Sequence, residues 1–105
     1  MDSPTRRQKL EMMLAAEPND PLLRYMLAME HVSAGDDAGA VERFRELHAV
    51  APDYVPGYMQ GGQALARLGR VAEARAEFEA GIAAARKQGD AHAAEEMQGM
   101  LAGLE

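Results

Sequence analysis

GDDAGAVERF at residues 35–44 and GRVAEARAEF at residues 69–78 decide the fold, because the second stretch restates the first thirty-four positions later. A glycine, an alanine and a phenylalanine recur in register: Gly35 with Gly69, Ala40 with Ala74, and Phe44 with Phe78. Self-similarity at one period of roughly 20 to 50 residues is typical of stacked supersecondary units, each of which cannot bury its apolar face alone. The sequence therefore predicts a repeat protein.

The same period extends towards the N-terminus. AAEPN at 15–19 lies under AVAPD at 49–53, so that Pro18 matches Pro52. The N-terminal segment is therefore interpreted as the second half of an earlier, truncated unit.

Turn-forming residues divide each period into two helices. Asp20 can cap a helix that begins at Pro21 and ends before Gly35. A second helix starts near Asp37 and stops before Pro52, because the residue preceding a proline disfavours the helical conformation. Repeating this plan along the chain predicts six helices, at about 4–16, 21–34, 37–51, 54–68, 71–88 and 90–104.

At this point the chain resembles the tetratricopeptide repeat family, in its small bacterial-type form. The resemblance rests on the period, the turn glycines and four further kinds of match: small residues within the first helices (Ala28, Gly62), alanines (Ala40, Ala74), aromatics (Phe44, Phe78) and closing prolines (Pro18, Pro52). It implies an all-α, right-handed solenoid of antiparallel helix pairs. It also implies one domain over 1–105, divided into a half repeat at 4–18, complete units at 20–53 and 54–89, and a capping helix at 90–104.

The second unit departs from the simplest repeat at its closing position, and its first helix contains two adjacent glycines. Arg86 stands where the closing proline would fall, which predicts a longer last helix in that unit. Gly62 is expected to be intolerant of bulk, because two helices cross closely only where a side chain is nearly absent. Its neighbour Gly61 either admits a partner's backbone or is merely tolerated, and we favour tolerance because helix propensity is a weak constraint on a packed helix.

Composition narrows the classes of partner and compartment. Seventeen acidic residues against eleven basic ones give a net charge of −6, so nucleic acid and anionic membranes are poor partners. The chain contains no cysteine, its N-terminal MDSPTRRQKL is too polar for a signal peptide, and no apolar run approaches about 20 residues. We therefore expect a cytoplasmic protein.

Nothing in the sequence has the spacing of a catalytic or metal-binding motif. His31, His48 and His92 lie too far apart for a local metal site, and no HExxH pattern occurs. Neither Ser3 nor Ser33 sits in a nucleophile motif. We therefore expect no enzymatic activity, no metal and no cofactor.

Eight methionines are many for 105 residues, and several of them exceed what the helix crossings need. In the family, the first helix of each pair lines a concave surface that binds peptides or partner helices. The resemblance therefore implies a groove, and it is formed by Leu22, Tyr25, Met26, Met29, Met59, Gln60, Gln63 and Arg67, with Val32 or Ser33 and Ala66 beside them.

The groove composition favours one class of ligand. Only Arg67 offers positive charge, which argues against the family's clamp for a peptide carboxylate and favours an amphipathic helix or an extended apolar segment. Two alternatives stay open: a self-associating homodimer, and a regulatory subunit of a larger complex. The net charge and the amphipathic terminal helices slightly favour a monomer.

Overall fold

The computed structural model describes residues 3–104, which form six α-helices joined by short turns and contain no strand. The helices are α1 (Arg6–Ala16), α2 (Pro21–Ser33), α3 (Asp37–Val50), α4 (Val55–Arg67), α5 (Val71–Lys87) and α6 (Ala91–Ala102). Every predicted helix is present, with its ends within two residues of the expected positions. The all-α helical repeat fold is confirmed.

Side-chain caps start four of the helices. Thr5 and Gln8 form a capping box at α1, in which each side chain accepts a hydrogen bond from the other residue's backbone amide. Asp20 accepts from the amides of Leu22 and Leu23, and Pro21 occupies the first helical position, where its missing amide hydrogen costs nothing. Asp36 and Asp90 cap α3 and α6 in the same way.

Glycines with positive φ end α2, α4 and α5. Gly35 and Gly69 both have φ of 76°, a left-handed conformation that residues with a Cβ adopt only at a cost. The amide of the following residue then reaches back across the last turn, as from Asp36 N to His31 O at 2.9 Å. This closing pattern satisfies the terminal carbonyls and turns the chain into the next helix.

The second unit has the longer last helix that Arg86 predicts. α5 has 17 residues, whereas the equivalent α3 has 14. Without a proline at this place the helix continues to Lys87, and α6 begins at Ala91, two residues later than the period would place it.

Each helix packs chiefly against the helices before and after it in the chain, which gives an elongated body of 49 × 28 × 19 Å. The core is correspondingly divided into three apolar clusters. The first joins α1 to α2 and the second joins α2 to α3. The third extends from α3 to α6 and includes Phe78 and Met97. This division is expected of a stack in which each unit buries its face against its neighbour.

Both glycines in the middle of α4 have packing roles. A methyl carbon built at Gly62 would lie 2.7 Å from Cζ of Phe78, so the ring occupies the space that a side chain would need. A methyl carbon at Gly61 would overlap the carboxylate of Glu77, which accepts a hydrogen bond from His48. The sequence favoured a glycine that is merely tolerated at position 61. In the structure, its lack of a side chain leaves room for Glu77.

No helix within residues 3–104 has both the length and the apolar character that crossing a bilayer requires.

Candidate functional site

Six of the residues on α2 and α4 form two equivalent rows. Tyr25, Met29 and Ser33 are spaced by four positions on α2, and residues with that spacing share one side of a helix. Met59, Gln63 and Arg67 follow the same spacing on α4, each thirty-four positions after its counterpart. We call these six residues the repeat face.

The apolar members of the repeat face are anchored in the core yet still accessible. Tyr25 and Met29 are half-buried and pack against the cluster around Phe44, while Met59 is half-buried against the third cluster. The Tyr25 ring lies 6.3 Å from that of Phe44 and 5.6 Å from that of Tyr54, between centroids. These ring contacts hold Tyr25 in place before any partner binds, which lowers the entropy cost of binding at that residue.

Burial raises the pKa of the Tyr25 hydroxyl, and the neighbouring Tyr54 raises that pKa further. The phenol therefore stays neutral throughout the physiological pH range. A neutral phenol offers an apolar ring and a hydrogen-bonding group, the combination that makes tyrosine common at interfaces.

The helix α6 is the third in this row, and two of its three corresponding positions are glycines. Counted from the helix starts, Glu95, Gly99 and Gly103 occupy the positions of Met59, Gln63 and Arg67. A methyl carbon built at Gly99 would meet nothing within 4 Å. Next to it, Met100 Sδ accepts a hydrogen bond from Gln63 Nε2 at 3.4 Å, which ties α6 to the face.

At the C-terminal end of α4, the positive charge of Arg67 is neutralised by Asp37. Arg67 binds the carboxylate of Asp37 through two of its nitrogens, with Nη2 to Oδ1 at 2.9 Å and Nε to Oδ2 at 3.1 Å. Both acceptor oxygens belong to Asp37 of the same chain. Arg67 is the only cationic residue among the six of the repeat face. Arg67 therefore already has an acidic partner within the chain.

The eight groove residues predicted from the sequence divide between two surfaces. Tyr25, Met29, Met59, Gln63 and Arg67 lie on the repeat face, and Gln60 is half-buried beside Met59. Leu22 and Met26 instead line a cleft of about 490 Å³ between α1 and α2, although Met26 also borders the depression beside Met29. Sequence spacing could not separate these two sets, because it does not tell which side of α2 is next to α1. The groove residues predicted from the sequence did not include Gly99.

Each of the three histidines contacts an acidic side chain. His31 Nδ1 donates to Asp36 at 2.9 Å, His48 Nε2 donates to Glu77 at 2.8 Å, and His92 is largely exposed beside Glu96. No group of three or more His, Cys, Asp or Glu side chains within residues 3–104 is placed to hold a metal ion. The pairs of His31 and His92 are local in the chain, whereas the pair of His48 and Glu77 links α3 to α5.

Known proteins with the same repeat architecture match this chain, although no protein-family model does. A curated protein of Pseudomonas aeruginosa, described as a TPR repeat-containing protein, is 35% identical over 96 residues, covering 91% of each chain. This chain belongs to the tetratricopeptide repeat family. The fold generally mediates protein–protein interaction, and its members are typically non-enzymatic.

Two solved structures support the same assignment. The crystal structure of a tetratricopeptide repeat domain protein from Salinibacter ruber has a TM-score of 0.72 at 35% identity, with 78% of this chain and 91% of that one covered. The solution structure of a protein from Bordetella parapertussis has a TM-score of 0.80 at 29% identity, with 94% and 86% covered.

Proposed function

We propose that this chain is a non-enzymatic tetratricopeptide repeat module that binds a protein partner along the repeat face. The partner segment is an amphipathic helix or an extended apolar peptide. The observation that carries the proposal is the row of half-buried Tyr25, Met29 and Met59, which are anchored in the core and still accessible. Aromatic and methionine side chains are enriched at the centres of protein interfaces.

The repeat face changes character along its length, and this change defines the partner's chemistry. Tyr25 provides a fixed ring and Met29 an adaptable apolar side chain, and together they suit a large aliphatic or aromatic side chain of the partner. Gln63 supplies an amide able to pair with a backbone group, and the open surface at Gly99 allows a backbone to approach closely. A partner with an apolar anchor at one end and a less bulky, polar segment at the other fits this gradient.

Three wider assignments accompany this proposal. The units at 20–53 and 54–89 act as the two complete repeats, flanked by the half repeat at 4–18 and the helix at 90–104. The net charge of −6 favours a protein ligand over nucleic acid or an anionic membrane. The absence of cysteine from the sequence suits a reducing cytoplasm.

A double alanine variant of the face tests the proposal. Tyr25→Ala with Met29→Ala should prevent capture of the partners that the wild-type protein retains from a lysate of its source cell, because such anchors contribute about 1–2 kcal/mol or more each. The matched control is Met12→Ala with Val50→Ala, which truncates two exposed apolar residues of α1 and α3.

Thermal melting of the same proteins separates binding from folding. We expect the double variant to remain folded at the temperature of the capture experiment, and the control to capture the same partners as wild type. A folded double variant that still captures those partners would place the binding surface elsewhere. A double variant that is unfolded would assign Tyr25 and Met29 to the core.

A further inference from the structure

A surface groove of about 570 Å³ runs between α1 and α3, with α2 beneath it. We call it the α1–α3 groove, and its lining includes Leu14, Ala15, Arg24, Leu27, Arg43 and Ala49. None of the six residues of the repeat face lines this groove. What it binds is therefore a separate question from the proposed function.

The walls of this groove recur thirty-four positions later in the chain. Arg24 Nε donates a hydrogen bond to the carbonyl oxygen of Pro18 at 2.7 Å. Tyr58 Oη donates to the carbonyl oxygen of Pro52 at 2.8 Å. The same contact thus forms at equivalent places in two successive units. The α1–α3 groove has its counterpart between α3 and α5.

An aromatic ring of the chain itself fills the counterpart. The His48 imidazole stacks on Tyr58, with ring centroids 3.8 Å apart and planes inclined by 5°. Its Nε2 atom contacts the carboxylate of Glu77, and the side chains of His48 and Glu77 are each only 16% exposed. The fold therefore shows that a flat ring fits between the second helices of neighbouring units.

In the α1–α3 groove the place of this ring is open. Leu14 stands where the next unit has His48, and Arg43 stands where it has Glu77. The Leu14 side chain packs against the apolar cluster of α1 and α2, and it has no group that could bond to Arg43. Within residues 3–104 no ion pair joins α1 to α3. The space that the imidazole fills one unit later is available to a side chain of another molecule.

The charged wall of the groove suits an aromatic occupant. Arg24 Nη1 binds Glu46 Oε2 at 3.2 Å, and its side chain is only 18% exposed, so the guanidinium is held in a fixed plane. Glu46 also binds Arg43 at 3.2 Å, so one carboxylate serves two cations. Both guanidiniums therefore have an acidic partner already, while an excess of one positive charge remains. Such a cation attracts the electron-rich face of a ring, and a fixed guanidinium stacks on it.

The shape of the groove favours a side chain of a protein over a free small molecule. Small-molecule sites usually enclose most of the ligand, whereas this groove is open to solvent along one side. Ala15 and Ala49 are exposed beside it, and their small side chains let another chain approach closely. Aromatic side chains that insert in this way are common anchors of protein interfaces.

We propose that the α1–α3 groove receives an aromatic side chain of a protein partner, stacked on the guanidinium of Arg24. The ring takes the place that His48 occupies in the next unit, with Leu14 and Leu27 as its apolar neighbours. Tyr25 and Met29 take no part in this contact, so it does not rest on the proposed function.

NMR titration with short peptides tests the proposal on the full chain. The probes are capped pentapeptides that carry tryptophan, phenylalanine or leucine between glycines. We expect the two aromatic peptides to cause saturable shifts of the Leu14 and Ala49 methyl resonances at millimolar concentration. The leucine peptide should bind at least about fivefold more weakly, because it lacks the attraction between ring and cation.

Variants of the groove identify the contact. Arg24→Gln keeps a donor for the carbonyl of Pro18 but removes the cation, and it should weaken the aromatic peptides at least about fivefold. Ala49→Leu narrows the groove and should abolish their binding. Ala83→Leu, the same change one unit later, is the matched control and should bind as the wild type does. Val50→Ala should also bind normally, because it trims only the exposed rim.

Circular dichroism melting confirms that each variant is folded. Equal affinity for the leucine and tryptophan peptides, shifts that spare Leu14 and Ala49, or undiminished binding by Arg24→Gln would each overturn the proposal. Sodium acetate serves as a further probe. A saturable response of the same methyl groups to acetate, with none to the aromatic peptides, would assign the groove to an anion instead.

Discussion

His48 on α3 donates a hydrogen bond from Nε2 to Oε2 of Glu77 on α5, at 2.8 Å, directly over the backbone of Gly61. The same imidazole stacks on Tyr58 of α4, with ring centroids 3.8 Å apart and planes inclined by 5°. Three consecutive helices therefore meet at one polar contact. It links the second helices of the two complete units and depends on a glycine in the helix between them.

Replacing Gly61 by alanine tests this dependence. Its methyl group should displace Glu77 from His48 and lower the free energy of unfolding, although alanine is the better helix former by about 0.5–1 kcal/mol. In a Glu77→Ala background the same change should instead be neutral or stabilising. Urea unfolding of the four proteins gives the coupling energy directly, and additive effects would contradict the packing role of Gly61.

Gly62 and Gly99 should respond oppositely to alanine. Gly62→Ala forces a methyl group into the ring of Phe78 and should cost about 1–3 kcal/mol, and Gly62→Leu should cost more. Gly99→Ala enters open space and should gain up to about 1 kcal/mol from helix propensity. Thermal melting measures both, and a Gly62→Leu variant that melts like wild type would refute the close crossing.

Asp36 should contribute a pH-dependent part of the stability. Hydrogen bonds from the His31 side chain and the Gly39 amide hold the pKa of the Asp36 carboxyl below its ordinary value of 3.8. A lowered pKa in the folded state stabilises the fold above the ordinary pKa, and this contribution disappears as the pH falls through the folded value.

Asp36→Asn keeps the shape of the side chain but not its charge. We expect wild type to be the more stable at about pH 7 and the difference to shrink only below about pH 4. Urea midpoints measured across this range check the direction. A difference that stays constant down to the acid limit would show that Asp36 acts through hydrogen-bond geometry alone.

Helix positions were predictable because their determinants are local. Pro21 and Asp20 start α2 by chemistry that is visible within four residues, and Gly35 and Gly69 end helices through a conformation that favours glycine. The length of α5 followed from a single position, Arg86. All of these signals lie within one or two turns of the helix ends that they define.

Contacts between distant residues were not predictable in the same way. The role of Gly61 depends on His48 and Glu77, which come together only when α3 and α5 pack on α4. Likewise, nothing in the sequence shows how α1 lies against α2. That Leu22 and Met26 also line a cleft beside α1 is visible only in the packed structure.

Site-specific photo-crosslinking in the source cell tests the central claim, that the repeat face binds a protein partner. A photoreactive amino acid would replace Met29 or Gln63 on the face, or Glu79 on the exposed outer side of α5 as the control. We predict that irradiation joins the same partner to positions 29 and 63 and leaves position 79 without that adduct, as identified by mass spectrometry. Adducts of that partner at position 79, with none at 29 or 63, would contradict the account.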